Sequence, residues 1–412
     1  MVILALFTRG RMPWRAFFPT WKEEIILRGS KMNEHSSISL TVPVFDSEVA
    51  QTRGEQGQRE GKYIYGIIQT NERKSFCSIG LNDPKKEVYT VPYQDISAVV
   101  SDSPIIAYDS MTKDRVVKDL FSHQWVIEKI MKDHTIIPMK FGTFVEKEEE
   151  VFEILKKGLK QLKETLSLIS NKIELDLVAL WNKEIIFKEI AGEREIKVLK
   201  EKIASDPADP QLNDRIKLGR MVEKSLKKKN LEYAEEILGA LKEKAFDFCT
   251  HDTLDNIMIL NSSFLLDRDG EKDFDKKLNE LDEKYEKKIN FRYVGPLPPY
   301  GFSTIEVKKW QFEDIDKARR LLGLGEEITP VEIKSAHRKL VFKYHPDKNP
   351  EGIPLDKEFN ELTQAYKLLL EYCQSDLKTQ NTCRCSLRKE NVENSILIKI
   401  LKISEEPERK RY

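Results

Sequence analysis

The chain has 412 residues, of which 40% are hydrophobic and 33% charged, and its 69 Lys and Arg balance its 69 Asp and Glu. A formal charge of zero gives no global pull toward nucleic acid or an anionic membrane, and no apolar run reaches the ~20 residues that a membrane-spanning helix needs. The length calls for more than one domain, and the five scattered cysteines read as reduced thiols, not a disulfide framework.

In chain order, residues 1–60 do not read like a domain. Met1 to Leu6 is too short an apolar start for a secretory signal, so this leader reads either as an organellar presequence or as sequence upstream of a true start at Met32. Ser47 to Lys62 reads as a flexible lead-in. Order is expected from 61. Strands are predicted at Tyr63 to Ile68, Asp95 to Val100 and Thr135 to Phe144, with helices from Thr112 to Asp133 and from about Glu148 to Ser170. This mixture predicts an α+β domain over 61–170 with a small sheet covered on one face.

A second α+β block is expected over 171–310. Ile173 to Leu180 reads as a strand and Ile185 to Lys202 as a helix, followed by helices from Gln211 to Lys229 and Leu231 to Phe248. Ile257 to Leu260 and Phe264 to Leu266 read together as a further strand, followed by a helix from Glu271 to Lys288 and a strand at Phe291 to Val294. The run Gly295-Pro296-Leu297-Pro298-Pro299-Tyr300-Gly301-Phe302 fixes an extended, turn-rich path anchored by aromatic burial, which favours a structural turn over a binding site.

Arg292 to Phe302 resembles a C-terminal signature of the gas vesicle accessory proteins of the GvpL/GvpF family. The opening Tyr63-Ile64-Tyr65-Gly66-Ile67 and the central Ile137-Pro138-Met139-Lys140-Phe141-Gly142-Thr143 match the same family. On this resemblance Tyr65, Gly66, Pro138, Phe141, Gly142, Arg292, Tyr293, Gly295, Pro296, Pro298, Pro299, Tyr300 and Phe302 are structural signature residues. The resemblance implies two α+β domains, the first ferredoxin-like, with no active-site chemistry. It also implies a cytoplasmic, gas vesicle associated location and, as partners, the gas vesicle shell protein and other gas vesicle accessory proteins.

Beyond 310 the pattern becomes helical. Pro330 opens a segment with Ile333, Ala336, Leu340 and Tyr344 at helical spacing and Lys334, Arg338 and Lys339 opposite, while Phe359, Leu362, Ala365, Tyr366 and Leu369 form a second stripe. Lys343 to Pro354 holds three prolines and Gly352 and must be a loop. Two antiparallel helices carrying a basic loop follow. Around His345-Pro346-Asp347, this stretch resembles the J domain of DnaJ-type co-chaperones across 311–375, with His337 where the family usually has an aromatic residue. The resemblance implies a DnaK-type chaperone as partner. It makes His345, Pro346 and Asp347 the loop that triggers ATP hydrolysis, with Lys334, Arg338, Lys339, Lys343 and Lys348 as the electrostatic footprint.

Other classes are weaker. The basic face lacks the exposed interleaved aromatics of a nucleic-acid binder. His35, His123, His134 and His251 sit singly, and there is no Gly-x-x-x-x-Gly-Lys loop, so no enzyme activity, cofactor or catalytic residue is expected. Cys383-x-Cys385 lacks a second ligand pair, which predicts no zinc site. Residues 376–412 read as a polar tail in which Asn394 to Ile403 is either a short docking element or loose chain. The expected function is gas vesicle assembly with chaperone recruitment. The alternative is a minor structural component of the vesicle or its assembly nucleus, with the J domain as a localising appendage.

Overall fold

The computed structural model describes residues 59–77, 81, 86–108, 111–205, 212–344, 356–380 and 384–400. His345, Pro346, Asp347 and Lys348 lie outside the described residues, as do residues 1–58 of the leader and Cys383.

The first domain is built on an antiparallel sheet of β1 (Glu60–Ile68), β2 (Ser75–Cys77), β3 (Val88–Tyr93), β4 (Ile96–Pro104), β5 (Ile136–Pro138) and β6 (Phe144–Val145), in the order β2-β3-β4-β1-β5, with β6 also paired to β1. Two helices connect and cover it, α1 (Lys113–Met131) and α2 (Glu148–Leu168). Each buries a stripe at three- and four-residue spacing: Leu120, His123, Ile127 and Ile130 on α1, and Val151, Ile154, Leu155, Leu162 and Leu166 on α2. Alternate strand residues go to different helices. Ile64, Ala98 and Val100 share a core with α2, whereas Tyr63, Tyr65 and Val99 share one with α1. The sheet is therefore covered on both faces, not on one as its sequence predicts. The near-continuous apolar run in β1 is the signature of that double burial.

The second domain is a four-stranded antiparallel sheet of order β10-β7-β9-β8, comprising β7 (Lys172–Trp181), β8 (Asp247–Thr250), β9 (Met258–Asp267) and β10 (Ile289–Leu297). Four helices cover its apolar face: α3 (Lys183–Ala191), α4 (Arg194–Ser205), α5 (Leu212–Lys242) and α6 (Glu271–Tyr285). The single helix predicted from Ile185 is two, divided at Gly192, whereas the two helices predicted from Gln211 are one of 31 residues. Lys227 to Asn230 contains no proline or glycine, and Leu226, Ile237 and Leu241 continue one buried stripe through it. Asn230 accepts the Trp181 indole N–H and donates to Asn256 O at 3.2 Å, so a polar residue of low helix propensity is anchored in place. Phe248 belongs to the edge strand β8, and the further strand predicted from Ile257 to Leu266 is β9.

After a short helical turn, α7 (Tyr300–Ser303), the chain forms β11 (Ile305–Lys309) and enters a helical module of α8 (Phe312–Leu321), α9 (Pro330–Tyr344) and α10 (Asp356–Gln380). Ile315, Ala318, Ile333, Leu362, Leu369 and Tyr372 make its core. The described part of the tail packs on the rest of the chain. Beyond α10, β13 (Cys385–Ser386) pairs with β12 (Glu327–Ile328), Leu387 and Val392 of the α11 (Lys389–Glu393) region join the module's core, and β14 (Ile396–Ile400) pairs antiparallel with β11. The polarity of 376–395 masked the apolar residues, which are spaced too widely to form a recognisable stripe.

Candidate functional site

Two groups of residues stand out, a basic helix face and a buried junction. The helix, α9, begins with a reciprocal cap: Glu332 Oε2 accepts from Thr329 N at 2.7 Å, and Thr329 Oγ1 accepts from Glu332 N at 3.2 Å. Pro330 takes the first helical position, where a missing N–H costs nothing. Ile333 is fully buried, and the half-buried Ala336 and Leu340 pack on the same core. His337 stacks on Tyr366 with ring centroids 4.3 Å apart and planes 19° from parallel. It supplies the flat ring that the sequence comparison expected from an aromatic residue, and burial holds its imidazole below the usual range.

That packing fixes the opposite face. Lys334, Arg338 and Lys339 are exposed, and none forms an ion pair among the described residues. Three cations on one rigid face, without an ion pair among the described residues, attract an acidic surface and orient its approach. Lys343 lies in the last turn of α9, which ends at Tyr344, and His345-Pro346-Asp347 comes next in the sequence.

The junction gathers the three signature stretches. Gly66 lies opposite Pro138 in the β1–β5 register, and Met139 N donates to Tyr65 O at 2.8 Å. Gly142 has φ +82°, a conformation glycine adopts freely, and its N–H reaches Tyr63 Oη at 3.3 Å. Tyr63 Oη is 2.8 Å from His123 Nδ1, Tyr65 Oη is 3.0 Å from Ser101 Oγ, and Phe141 packs on Tyr108 and His123. Burial pushes the His123 imidazole down to about 3. His123 is thus a packed, neutral member of a core and has no exposed ring to offer chemistry.

From the other side, β10 delivers the Pro-rich path. Arg292, Tyr293, Gly295 and Pro296 are exposed along the sheet edge, and Gly295-Pro296 is a cis peptide. Pro298, Pro299, Tyr300 and Phe302 are buried, and Leu297 and Tyr300 belong to the same core as Tyr63 and Tyr65. A Cβ on Gly295 would lie 2.1 Å from Leu175 Cδ2 and 3.0 Å from Glu174 O. Two buried carboxyls on β7 were overlooked in the sequence, and one of them, Glu174, holds this path. Glu174 Oε2 accepts from Gly301 N at 2.7 Å, and Asp176 Oδ1 accepts from Ser263 Oγ at 2.5 Å. Burial, and then the neighbouring Asp176, push the Glu174 carboxyl well above the ordinary range. The available signal was acidic residues at alternate positions of the otherwise apolar run Ile173-Glu174-Leu175-Asp176-Leu177, which mimics a solvent face.

Past Phe302, Lys140 N donates to Ile305 O at 2.8 Å, extending the first sheet's edge onto β11. An open groove of about 300 Å³ lies there, lined by Lys140, Phe141, Thr143, Glu306 and Lys309 among others. The arrangement is an architectural junction in which aromatic packing and backbone pairing hold two sheets together.

A family model described as "Gas vesicle synthesis protein GvpL/GvpF" matches residues 61–304, and one described as "DnaJ domain" matches 320–374. Gas vesicle protein F1 of Halobacterium salinarum is 24% identical over 251 residues, covering 60% of this chain and 95% of that protein. Gas vesicle protein F of Nostoc sp. is 22% identical over 255 residues, covering 60% of this chain and 98% of that protein. Chaperone protein DnaJ of Ehrlichia ruminantium is 51% identical over 51 residues, 12% of this chain and 13% of that protein. The crystal structure of the gas vesicle protein GvpF from Anabaena sp. PCC7120 superposes with a TM-score of 0.50 at 22% identity, covering 58% of this chain and 97% of that chain, and shares its fold.

Two outcomes test the junction. Gly295→Ala should cost about 1–3 kcal/mol in denaturant unfolding, because the fully buried Leu175 must be displaced. His123 titrates near 3 when folded against an ordinary value of 6.5, so between those pH values the unfolded chain holds a proton that the folded chain does not. Its contribution therefore disfavours folding increasingly as pH falls through that window, by ~1.4 kcal/mol per unit. His123→Gln should lose less stability than the parent between pH 6.5 and 4.5, read as a smaller fall in the denaturant midpoint.

Proposed function

Because the chain belongs to the gas vesicle synthesis protein GvpL/GvpF family and carries a DnaJ domain, we propose that it is a gas vesicle assembly factor that recruits a DnaK-type chaperone to its cargo. In this reading the two α+β domains bind the gas vesicle shell protein or other accessory proteins. His345-Pro346-Asp347 and the basic face of α9 engage the chaperone and stimulate its ATPase. The observation that carries the proposal is the presence of both modules in one chain, with Lys334, Arg338 and Lys339 left exposed after the helical module has packed.

The physical logic is one of protection and proximity. A subunit destined for a wall with an apolar gas-facing side exposes hydrophobic surface before assembly, and such surface aggregates. A J domain tethered to the protein holding that subunit makes the chaperone's second encounter effectively intramolecular, so a weak J-domain contact is enough.

His345→Gln should abolish stimulation of ATP hydrolysis by a DnaK-type chaperone while shell-protein binding, measured by co-sedimentation, stays at the parental level. Normal stimulation by this variant would refute the chaperone half of the proposal. Reversing charge at Lys334 and Arg338 should slow association with the chaperone by roughly tenfold at low salt and flatten its salt dependence. Stopped-flow fluorescence reads both effects.

A further inference from the structure

β11 begins one residue after the gas vesicle family match ends at 304, and β14 lies beyond the DnaJ match, which ends at 374. The two strands pair along their full length, with Ile305 opposite Ile400 and Lys309 opposite Ile396. Neither family segment contains this ribbon, yet it is where the two modules meet.

The side chains of β14 alternate between the modules, as strand geometry requires. Ile396, Ile398 and Ile400 pack into the first domain's core with α2, where Gly158 lies so close to Ile398 Cδ1 that an added Cβ would sit 3.1 Å away. Leu397 packs against the helical module's core, and Lys399 pairs with Glu371 of α10. Glu371 also takes Lys308 of β11 at 2.6 Å. The end of the ribbon where Lys309 faces Ile396 is tied to α2 twice: Lys157 donates to Asn394 O at 2.6 Å, and Lys309 of β11 reaches Glu150 at 2.5 Å. The approach to β14 is anchored in the helical module by Tyr372 Oη donating to Ser386 O and Leu387 N donating to Glu326 O, both at 2.7 Å.

We infer that β14 is a latch, a strand supplied in cis by the J module that occupies the edge of β11 and fixes that module's orientation on the gas vesicle domains. A strand whose alternate side chains enter two cores cannot leave one without leaving the other. The basic face of α9 is therefore presented in one direction relative to the cargo-binding domains, and the two modules unfold together. The latch concerns this coupling alone and holds whatever either module binds.

The test uses the full chain with Ile398→Asp, which places a charge in the first domain's core, and separately Lys399→Glu, a surface change that sets like charges against Glu371 and empties no core. The parent should show one calorimetric unfolding transition and slow hydrogen exchange along β11. Ile398→Asp should split the transition into two and shorten the rotational correlation time of the J module in 15N relaxation. Lys399→Glu should accelerate β11 exchange by about tenfold. Both variants should stimulate a DnaK-type ATPase as the parent does, so failure of the latch and failure of the chaperone reading give different results. A single transition with unchanged J-module tumbling in Ile398→Asp, or unchanged exchange in Lys399→Glu, would overturn the latch. A parental mass twice that of the monomer by light scattering, lost in Ile398→Asp, would overturn its assignment in cis.

Discussion

The path from Gly295 to Lys309 is the constraint on which the rest of the molecule depends. It leaves the second sheet where Gly295 passes too close to Leu175 for any side chain, gives its Gly301 amide to the buried Glu174 carboxyl and places Tyr300 in the tyrosine-rich core of the first domain. It then adds Ile305 beside Met139, and from there β11 receives β14. Fifteen residues thus set the position of each domain against the next. The Pro-rich composition suits that task, because a stiff extended path loses little entropy on being fixed.

The same path explains why a signature with no reactive group carries so much information. Its exposed residues Arg292 and Tyr293 sit on a sheet edge, while its buried residues complete a core begun more than two hundred positions earlier at Tyr63. Hydroxyls and ring contacts in that core run from Tyr63 to His123 and from Tyr65 to Ser101, so the Tyr63 and Tyr65 hydroxyls that enter the interior each meet a partner. Burial in this packing lowers the His123 imidazole and raises the Glu174 carboxyl, in each case disfavouring the charged form.

Much of this was legible in the sequence because it depends on local pattern. The strand Tyr63 to Ile68, the stripes of α1, α2 and α9, and the start of α9 at Pro330 all follow from residue type and spacing. What was not legible depends on long-range pairing. β8 and β11 are short edge strands whose existence depends on distant neighbours, and β14 reads as a few isoleucines in a polar tail until β11 is placed beside it. The covering of both faces of the first sheet shows only when alternate residues of β1 are assigned to different helices. Glu174 and Asp176 looked like a solvent face because sequence alone does not show that Gly301 and Ser263 will meet them. In α9, by contrast, His337 departs from the family pattern and is reconciled by its stacking on Tyr366.

A gas vesicle family module and a DnaJ domain share one chain, and co-purification tests whether they bring cargo and chaperone together. The full chain should be captured from cells making gas vesicles, with and without ATP, and its companions identified by mass spectrometry. The account requires a gas vesicle shell or accessory protein together with a DnaK-type chaperone, the chaperone's yield changing with nucleotide. Recovery of the chaperone with unrelated clients and no gas vesicle protein would contradict it.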